Sequence, residues 1–198
     1  METFTPKTFE IGELKGISAK NIEEHLKLYK GYVNNSNLVL NKIKEYEKDS
    51  VENVYILGEL HRRFSFEFDG MRNHEYYFVH LSGGSKEINQ NGELYKAIEK
   101  EWGTFENWMT QYKGVALTRG IGWTILYYDK QSGHLLNQWV DEHHLGQLTG
   151  LTPILALDMW EHAYVYDYPT SEKKNYIEAF FENLNWATVE ENFKKGNL

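Results

Sequence analysis

Two long stretches with helical spacing fill most of the first 81 residues, and they restrict the fold more than any other feature of the sequence. Residues 18–48 place apolar side chains on one helical face, and Ser18 is of a residue type that favours the N-cap. Residues 52–81 repeat the pattern, with an interruption expected at Gly70, and end at the loop signal Ser82-Gly83-Gly84. Two such helices joined by a short link predict an antiparallel hairpin.

The second half of the chain combines helical patterns with segments typical of β-strands. The polar stretch SKEINQN at residues 85–91 is the best candidate for a domain boundary, and it leads into a predicted helix at about 93–113. Two segments rich in β-forming residues, at 120–129 and 135–141, predict a β-hairpin. A short buried strand is expected at 152–158, and helical patterns resume from EHAYVYDY to the end of the chain.

These patterns predict an α+β fold. We expect a long N-terminal helical hairpin domain over residues 1–88 and a C-terminal α/β domain over residues 89–198. The C-terminal domain should contain a small antiparallel sheet of about three strands.

The composition excludes several classes of function. Because the chain contains no Cys, it forms neither disulfides nor thiolate metal sites, so any metal must bind nitrogen and oxygen ligands. The formal net charge of −8 argues against nucleic acid as a partner, and an anionic substrate would need local positive charge at the site. The N-terminus lacks a targeting pattern, and no run approaches the ~20 apolar residues of a membrane span, so we expect a soluble cytoplasmic protein.

Four residues from three separate segments could bind a metal together. Asp158 and His162 lie four positions apart in DMWEHAY, which aligns them on one face of a helical turn, although a local Asp–His hydrogen bond explains that spacing equally well. His25 and His74 lie on the two predicted helices, where a half-exposed histidine and a satisfied core histidine are the simpler explanations. Taken together, three imidazoles and one carboxylate suit Fe, Mn, Zn or Cu, and the carboxylate favours Fe or Mn.

DMWEHAY resembles the D-x-W-E-H-A-Y signature of the iron/manganese superoxide dismutases. Other segments resemble that family in the same order along nearly all of the chain: ISAKNIEEH, YVNNSN, NH followed by aromatic residues, LSGG, IEKEWGTFENW, GIGWTIL and NWATVEENF. The resemblance implies a helical hairpin followed by an α/β domain, with one Fe or Mn ion per subunit between them.

The resemblance also implies the site and the reaction. The metal ligands would be His25, His74, Asp158 and His162, with solvent as a fifth ligand. The family converts superoxide to dioxygen and hydrogen peroxide while the metal cycles between +3 and +2. Its members form homodimers, so Glu161 is expected to reach His162 of the partner subunit.

The first helix departs from the family pattern in its spacing. His25 and Tyr32 are seven residues apart, whereas the family usually separates the ligand His and the following Tyr by eight. Seven steps of ~100° return to nearly the same helical face, so we infer a deletion that removes a π-type bulge. An alignment without a gap would place Glu24 at the ligand position instead. With His25 as the ligand, Tyr32 is expected to gate the substrate channel and relay protons.

The contact between subunits departs as well. Tyr29 stands near the position where the family often has a His that reaches the other subunit, and Val165 replaces a common second Tyr after Tyr164. We therefore expect Tyr29 to lie near the dimer interface.

A third departure concerns the group that orients metal-bound solvent. The family uses a Gln from the second helix or, when that helix has Gly, as here at Gly70, from the C-terminal sheet. The relevant stretch, VDEHHLGQ, has no Gln at the expected place, and we assign the role to His143. His144 is the second candidate, Glu142 is the candidate without a gap, and a solvated pair of loop histidines is the simpler explanation.

Other residues are expected to surround the site. An aromatic wall should be formed by Phe78, Trp123 and Trp160, and Ile125 stands where the family often has another Trp. Lys173 or Lys174 is a candidate for steering superoxide, because the net charge would otherwise repel an anion.

Two other classes of function compete with the dismutase. A non-catalytic binding protein could keep the fold, although such a protein would be expected to lose ligands. A zinc hydrolase would need an H-E-x-x-H motif or a similar arrangement with a free general base. The choice between Fe and Mn, and between dimer and tetramer, stays open at this point.

Overall fold

A computed structural model of the chain describes residues 3–197, and its first half is built from two long helices. Helix α1 spans Ala19–Tyr46 and helix α2 spans Val54–His80. The predicted N-cap is present, because the Ser18 hydroxyl accepts a hydrogen bond from the backbone N–H of Asn21 at 3.1 Å. This bond satisfies one of the donors that a helix leaves free at its start.

The two helices pack as an antiparallel hairpin, as predicted. Early in α1 the ring of His25 lies 4.9 Å from the ring of Phe78, late in α2. Further along α1, the ring of Tyr32 lies 5.0 Å from the ring of His74, which precedes Phe78 in α2. The expected interruption at Gly70 is wrong, because α2 continues through it. Glycine is needed there for packing, since a Cβ would lie 2.7 Å from Tyr32 Cδ1.

The helix predicted at about 93–113 is in fact two helices, so that prediction is wrong in its extent. Helix α3 spans Glu93–Trp102 and helix α4 spans Phe105–Ala116. Gly103 adopts a φ of 82°, a left-handed conformation that ends α3. The hydroxyl of Thr104 then accepts from the backbone N–H of Asn107 at 3.1 Å and starts α4.

Three antiparallel strands form the predicted sheet. Strands β1 at Gly122–Asp129, β2 at His134–Asp141 and β3 at Thr152–Asp158 lie in the order β2-β1-β3. The central strand β1 is buried along nearly its whole length, as expected for a strand covered on both faces. The register pairs Trp123 with Asp158, which brings an indole next to a predicted ligand. The predicted α+β fold class is confirmed.

The segment EHAYVYDY does not form the expected helix. It contains only a 3₁₀ turn at Glu161–Ala163, and the next helix, α5, spans Lys173–Asn183. Pro169 disfavours the helical conformation of Tyr168 before it, so a helix in this segment could not continue into α5. The last helix, α6, spans Trp186–Asn197 and packs against β3.

The division at residue 88 stays a prediction. Near this boundary the backbone N–H of Lys86 donates to the carbonyl of Leu184, and the backbone N–H of Trp186 donates to Lys86, both at 3.2 Å. The link is therefore attached to the C-terminal helices. Among residues 3–197, no helix combines the length and the apolar character that a membrane crossing requires.

Candidate metal centre

The four predicted ligand residues converge on one buried point. Their donor atoms all lie within 4.8 Å of one another. The Asp158 Oδ2 atom is 3.2 Å from His25 Nε2, 3.2 Å from His162 Nε2 and 3.5 Å from His74 Nε2. Helix α1, helix α2, the end of β3 and the 3₁₀ turn that follows each supply one residue. The structure therefore brings together residues that are up to 137 positions apart in the sequence.

Hydrogen bonds orient Asp158 from behind. The backbone N–H of Trp160 donates to Oδ1 at 2.8 Å, and the hydroxyl of Tyr176 donates to the Asp158 carbonyl at 2.9 Å. Only Oδ2 is left to face the three imidazoles. Tyr176 was not predicted from the sequence, because it lies 18 residues away in α5 with no motif of its own.

The orientation of His74 leaves a free lone pair. Its Nδ1 lies 2.6 Å from the carbonyl of Gly70, and because a carbonyl only accepts, Nδ1 carries the proton. The Nε2 atom is then unprotonated, buried and without a hydrogen-bond partner in the described chain. A buried acceptor without a partner is costly unless something binds it, and a metal ion would satisfy it.

Burial sets the charges of the cluster. Burial lowers the pKa of His25 and holds the pKa of His74 well below its ordinary value, so both rings are neutral near pH 7. Burial by itself raises the pKa of the Asp158 carboxyl, but His162 and His25 more than offset this, and its pKa lies well below the usual range. Neutral imidazoles and an ionised carboxylate are the forms that bind Fe or Mn, so the residues present fit the ion.

The register of the first helix is clear from its two faces. Glu24, the alternative ligand, lies on the outer face with its carboxylate 2.5 Å from Lys20 Nζ and 2.9 Å from Lys27 Nζ. His25 is wholly buried and faces Asp158. Helix α1 is α-helical without interruption, in agreement with the inferred loss of a bulge.

A hydrogen-bonded chain of three side chains lies beside the cluster. The indole N–H of Trp123 donates to His143 Nδ1 at 2.9 Å, and His143 Nε2 lies 2.7 Å from the hydroxyl of Tyr32. Because an indole only donates, Nδ1 must be unprotonated, so Nε2 carries the proton and donates to Tyr32. Burial lowers the pKa of His143 to about 3, which keeps the ring neutral. The hydroxyl proton of Tyr32 is therefore not used by His143.

The other two candidates for this position lie elsewhere. His144 is half-buried, with its ring 5.7 Å from the ring of Phe66. Glu142 has a φ of 51°, and its carbonyl accepts from the indole N–H of Trp160 at 2.9 Å. The tight turn at Glu142 is what directs His143 inward, toward Tyr32.

Sequence reasoning missed the support behind His143. The amide nitrogens of Asn73 and Gln147 donate to the His143 carbonyl at 3.1 Å and 3.0 Å. Tyr127 in turn donates its hydroxyl hydrogen to the Gln147 amide oxygen. The only available signals were that Asn73 precedes His74 and that Gln147 follows the His pair within four residues.

Aromatic rings enclose the site, as expected. The ring of Trp123 lies 5.0 Å from His74, and that of Trp160 stacks at 5.7 Å on His162. Phe78 lies 4.9 Å from His25. Ile125 is buried in the core.

The expectation that Tyr29 lies near the dimer interface stays a prediction. Its side chain is fully buried within the chain. The hydroxyl accepts from the backbone N–H of Lys7 at 2.9 Å and donates to Glu75 at 3.3 Å. These bonds direct it toward the N-terminal segment. Val165 is exposed.

The two lysines that were predicted to steer superoxide have different surroundings. Lys173 donates to the carbonyl of Thr118 at 3.1 Å, and its Nζ lies 5.6 Å from the centre of the Trp139 ring. Burial lowers its pKa. Lys174 is exposed. A steering role for either residue stays a prediction.

The fold and the buried cluster define a class: an α+β protein with a candidate site for a metal with nitrogen and oxygen ligands, between a helical hairpin and a small sheet. Residues 90–192 match the family described as iron/manganese superoxide dismutases, C-terminal domain. The chain belongs to the iron/manganese superoxide dismutase family, and the predicted family is confirmed.

Individual relatives agree with this placement. An iron superoxide dismutase of Cupriavidus metallidurans is 35% identical over 191 residues, which cover 95% of this chain and 94% of the relative. An iron superoxide dismutase of Aquifex aeolicus is 36% identical over 92% of this chain and 86% of its own length. A manganese superoxide dismutase of Haloarcula marismortui is 42% identical over 52% of this chain and 50% of its own length.

Proposed function

We propose that this chain is a superoxide dismutase, which converts two superoxide ions and two protons to dioxygen and hydrogen peroxide. The observation that carries the proposal is the convergence of three imidazoles and one carboxylate within 4.8 Å, in a chain of this family. When bound, an iron or manganese ion would take an electron from one superoxide and give it to a second.

The residues that would hold the ion follow from the free donor atoms. His25, His74 and His162 each direct Nε2 toward Asp158 Oδ2, which has no backbone hydrogen bond of its own. We expect one ion per subunit, held by these four atoms. The iron and manganese enzymes among the relatives support either metal.

The chain of Trp123, His143 and Tyr32 would handle the protons. His143 uses its single N–H on Tyr32, so the hydroxyl hydrogen of Tyr32 is free to be donated to the reduced substrate. Burial raises the pKa of Tyr32, with the Asp158 and Glu67 charges acting in the same direction, and the phenol therefore stays protonated near pH 7. Each peroxide product needs two protons, and a positioned phenol can donate one of them.

The packing of Gly70 against Tyr32 gives a test of this role. Gly70→Ala places a Cβ 2.7 Å from Tyr32 Cδ1, so the ring must move and its bond to His143 must lengthen. We expect kcat/KM for superoxide to fall about 10- to 100-fold while metal content is kept. Gly58→Ala on the same helix is the control, because nothing lies within 4 Å of its Cβ. It should stabilise the helix by about 1 kcal/mol and leave the rate unchanged. If both variants had the same rate, the position of the Tyr32 ring would not matter for the reaction.

We also propose a cytoplasmic homodimer in which Glu161 bridges to His162 of the partner subunit. Glu161 is exposed, and the His162 side chain is 19% exposed while the other three predicted ligands are wholly buried. His162 Nδ1 makes no hydrogen bond within residues 3–197, which leaves it available to a carboxylate. Sedimentation equilibrium should give twice the 23.4 kDa chain mass, and a monomeric active enzyme would contradict the bridge.

Separate reconstitution with each metal tests the function. Metal-free protein loaded with Fe(II) or Mn(II) should bind one ion per chain and remove superoxide faster than the same concentration of free ion. Stopped-flow decay of superoxide absorbance measures this rate directly. Protein that binds either ion stoichiometrically without exceeding the free ion would refute a dismutase, and protein that binds neither would favour a non-catalytic relative.

A further inference from the structure

A positively charged side chain covers the aromatic ring that lies beside the predicted relay. Phe66, which the sequence did not single out, lies 4.7 Å from the His143 ring, 6.1 Å from Tyr32 and 6.5 Å from Trp160. The guanidinium carbon of Arg63 lies 3.9 Å from the centre of the Phe66 ring. The two residues are one helical turn apart on α2, so the helix itself brings them together.

A buried carboxylate holds this guanidinium in place. Arg63 Nη2 lies 2.6 Å from Glu67 Oε1, and Nε donates to the same oxygen at 2.8 Å. The Glu67 side chain is 4% exposed, whereas that of Arg63 is 52% exposed. The second Glu67 oxygen is buried and has no hydrogen-bond partner in the described chain. The pair is therefore polarised, with the positive group in water and the negative group inside.

The position of this charge answers a difficulty raised by the composition. A chain with a net charge of −8 repels an anion over most of its surface, so a negative substrate needs a local positive field near the site. The Arg63 charge acts on His143, where it helps to lower the pKa, and on Tyr32, where the Glu67 charge opposes it, is the larger of the two and helps to keep the pKa raised. An anion that approaches Phe66 from solvent meets the guanidinium before the carboxylate.

We propose that Arg63 is the guidance residue of the site: its guanidinium, fixed over Phe66 by Glu67, attracts superoxide from solvent to the side of the site formed by Phe66 and His143. This role rests on the proposed dismutase function. Arg63 positions the incoming anion by its charge and takes no part in the electron or proton transfer. The lysines suggested by the sequence are not required for this role.

A matched pair of substitutions on adjacent residues tests the proposal. Arg63→Gln and Arg62→Gln remove the same charge from the same helix, and Arg62 instead binds Glu59 at 2.7 Å. In the metal-loaded enzyme at low salt, Arg63→Gln should lower kcat/KM for superoxide about three- to tenfold, whereas Arg62→Gln stays within about twofold. The loss should shrink as ionic strength rises to about 0.2 M, because salt screens an exposed charge. Arg63→Lys should keep most of the rate and its salt dependence.

Removal of the buried partner separates guidance from a structural role. Glu67→Gln keeps a hydrogen-bond acceptor for Arg63 but removes the negative charge, so at low salt the rate should rise by about twofold. If the pair served only to pack Phe66, both Arg63→Gln and Glu67→Gln would lower the rate, and neither effect would depend on salt. That result, or equal salt dependence in Arg63→Gln and Arg62→Gln, would overturn the guidance role alone. A metal-loaded wild-type protein without activity would overturn the proposed function and the guidance role with it.

Discussion

Asp158→Asn should remove metal binding and, with it, essentially all superoxide dismutation. Asn is nearly the same shape, and its amide oxygen can keep the hydrogen bond from the backbone N–H of Trp160. The amide nitrogen then takes the place of Oδ2 and presents N–H groups to the Nε2 atoms of the histidines. The only formal negative charge of the cluster is lost as well. We expect metal affinity and activity to fall at least about 100-fold.

Metal analysis by mass spectrometry and stopped-flow superoxide decay measure the two effects of Asp158→Asn. The control is Asp129→Asn at the end of β1, which makes the same charge change beside an exposed turn. It should leave both metal content and rate unchanged. An Asp158→Asn protein with full metal content would show that Asp158 is not a ligand.

His143→Leu should have the second largest effect, and it should act on the rate without removing the metal. Leucine leaves the indole N–H of Trp123 without its acceptor and the hydroxyl of Tyr32 without its donor. We expect kcat/KM to fall about 10- to 100-fold at unchanged metal content, since the tyrosine is no longer oriented. The reduction potential of the bound metal should shift too, because hydrogen bonds near a metal tune it.

His143→Gln is the matched rescue for His143→Leu. An amide oxygen can accept from Trp123 while the amide nitrogen donates to Tyr32, so both bonds of the imidazole can be replaced. Its rate should lie within several-fold of wild type, and redox titration should place its potential closer to wild type than that of the leucine variant. A leucine variant with the wild-type rate and potential would contradict any role for His143 beyond packing.

Helix periodicity was enough to predict which residues of the first helix share a face. Because α1 repeats every ~100°, residues seven apart share a face, and the structure places His25 and Tyr32 on the same side while Glu24 faces Lys20 and Lys27. The same reasoning does not reveal what surrounds Tyr29. The sequence shows that Tyr29 is one turn beyond His25, but the N-terminal segment covers it through Lys7, and that contact is not local.

Irregular segments were predicted less well, because they have no period. The choice among Glu142, His143 and His144 depends on a turn with positive φ at Glu142 and on amides from Asn73 and Gln147 that hold the His143 carbonyl. The single helix expected at 93–113 failed for a related reason. One left-handed glycine, Gly103, redirects the chain, and helical spacing on either side does not reveal it.

The sequence by itself determined the chemistry that is available: no thiolates, three imidazoles and one carboxylate in ordered segments, and an overall negative charge. Only the tertiary structure decided which donor atoms face one another, that His143 links Trp123 to Tyr32, and that Arg63 stands over Phe66. The physical reason is that residue type fixes what an atom can donate or accept. Where the atom points depends on packing between elements that are distant in the chain, which local patterns do not encode.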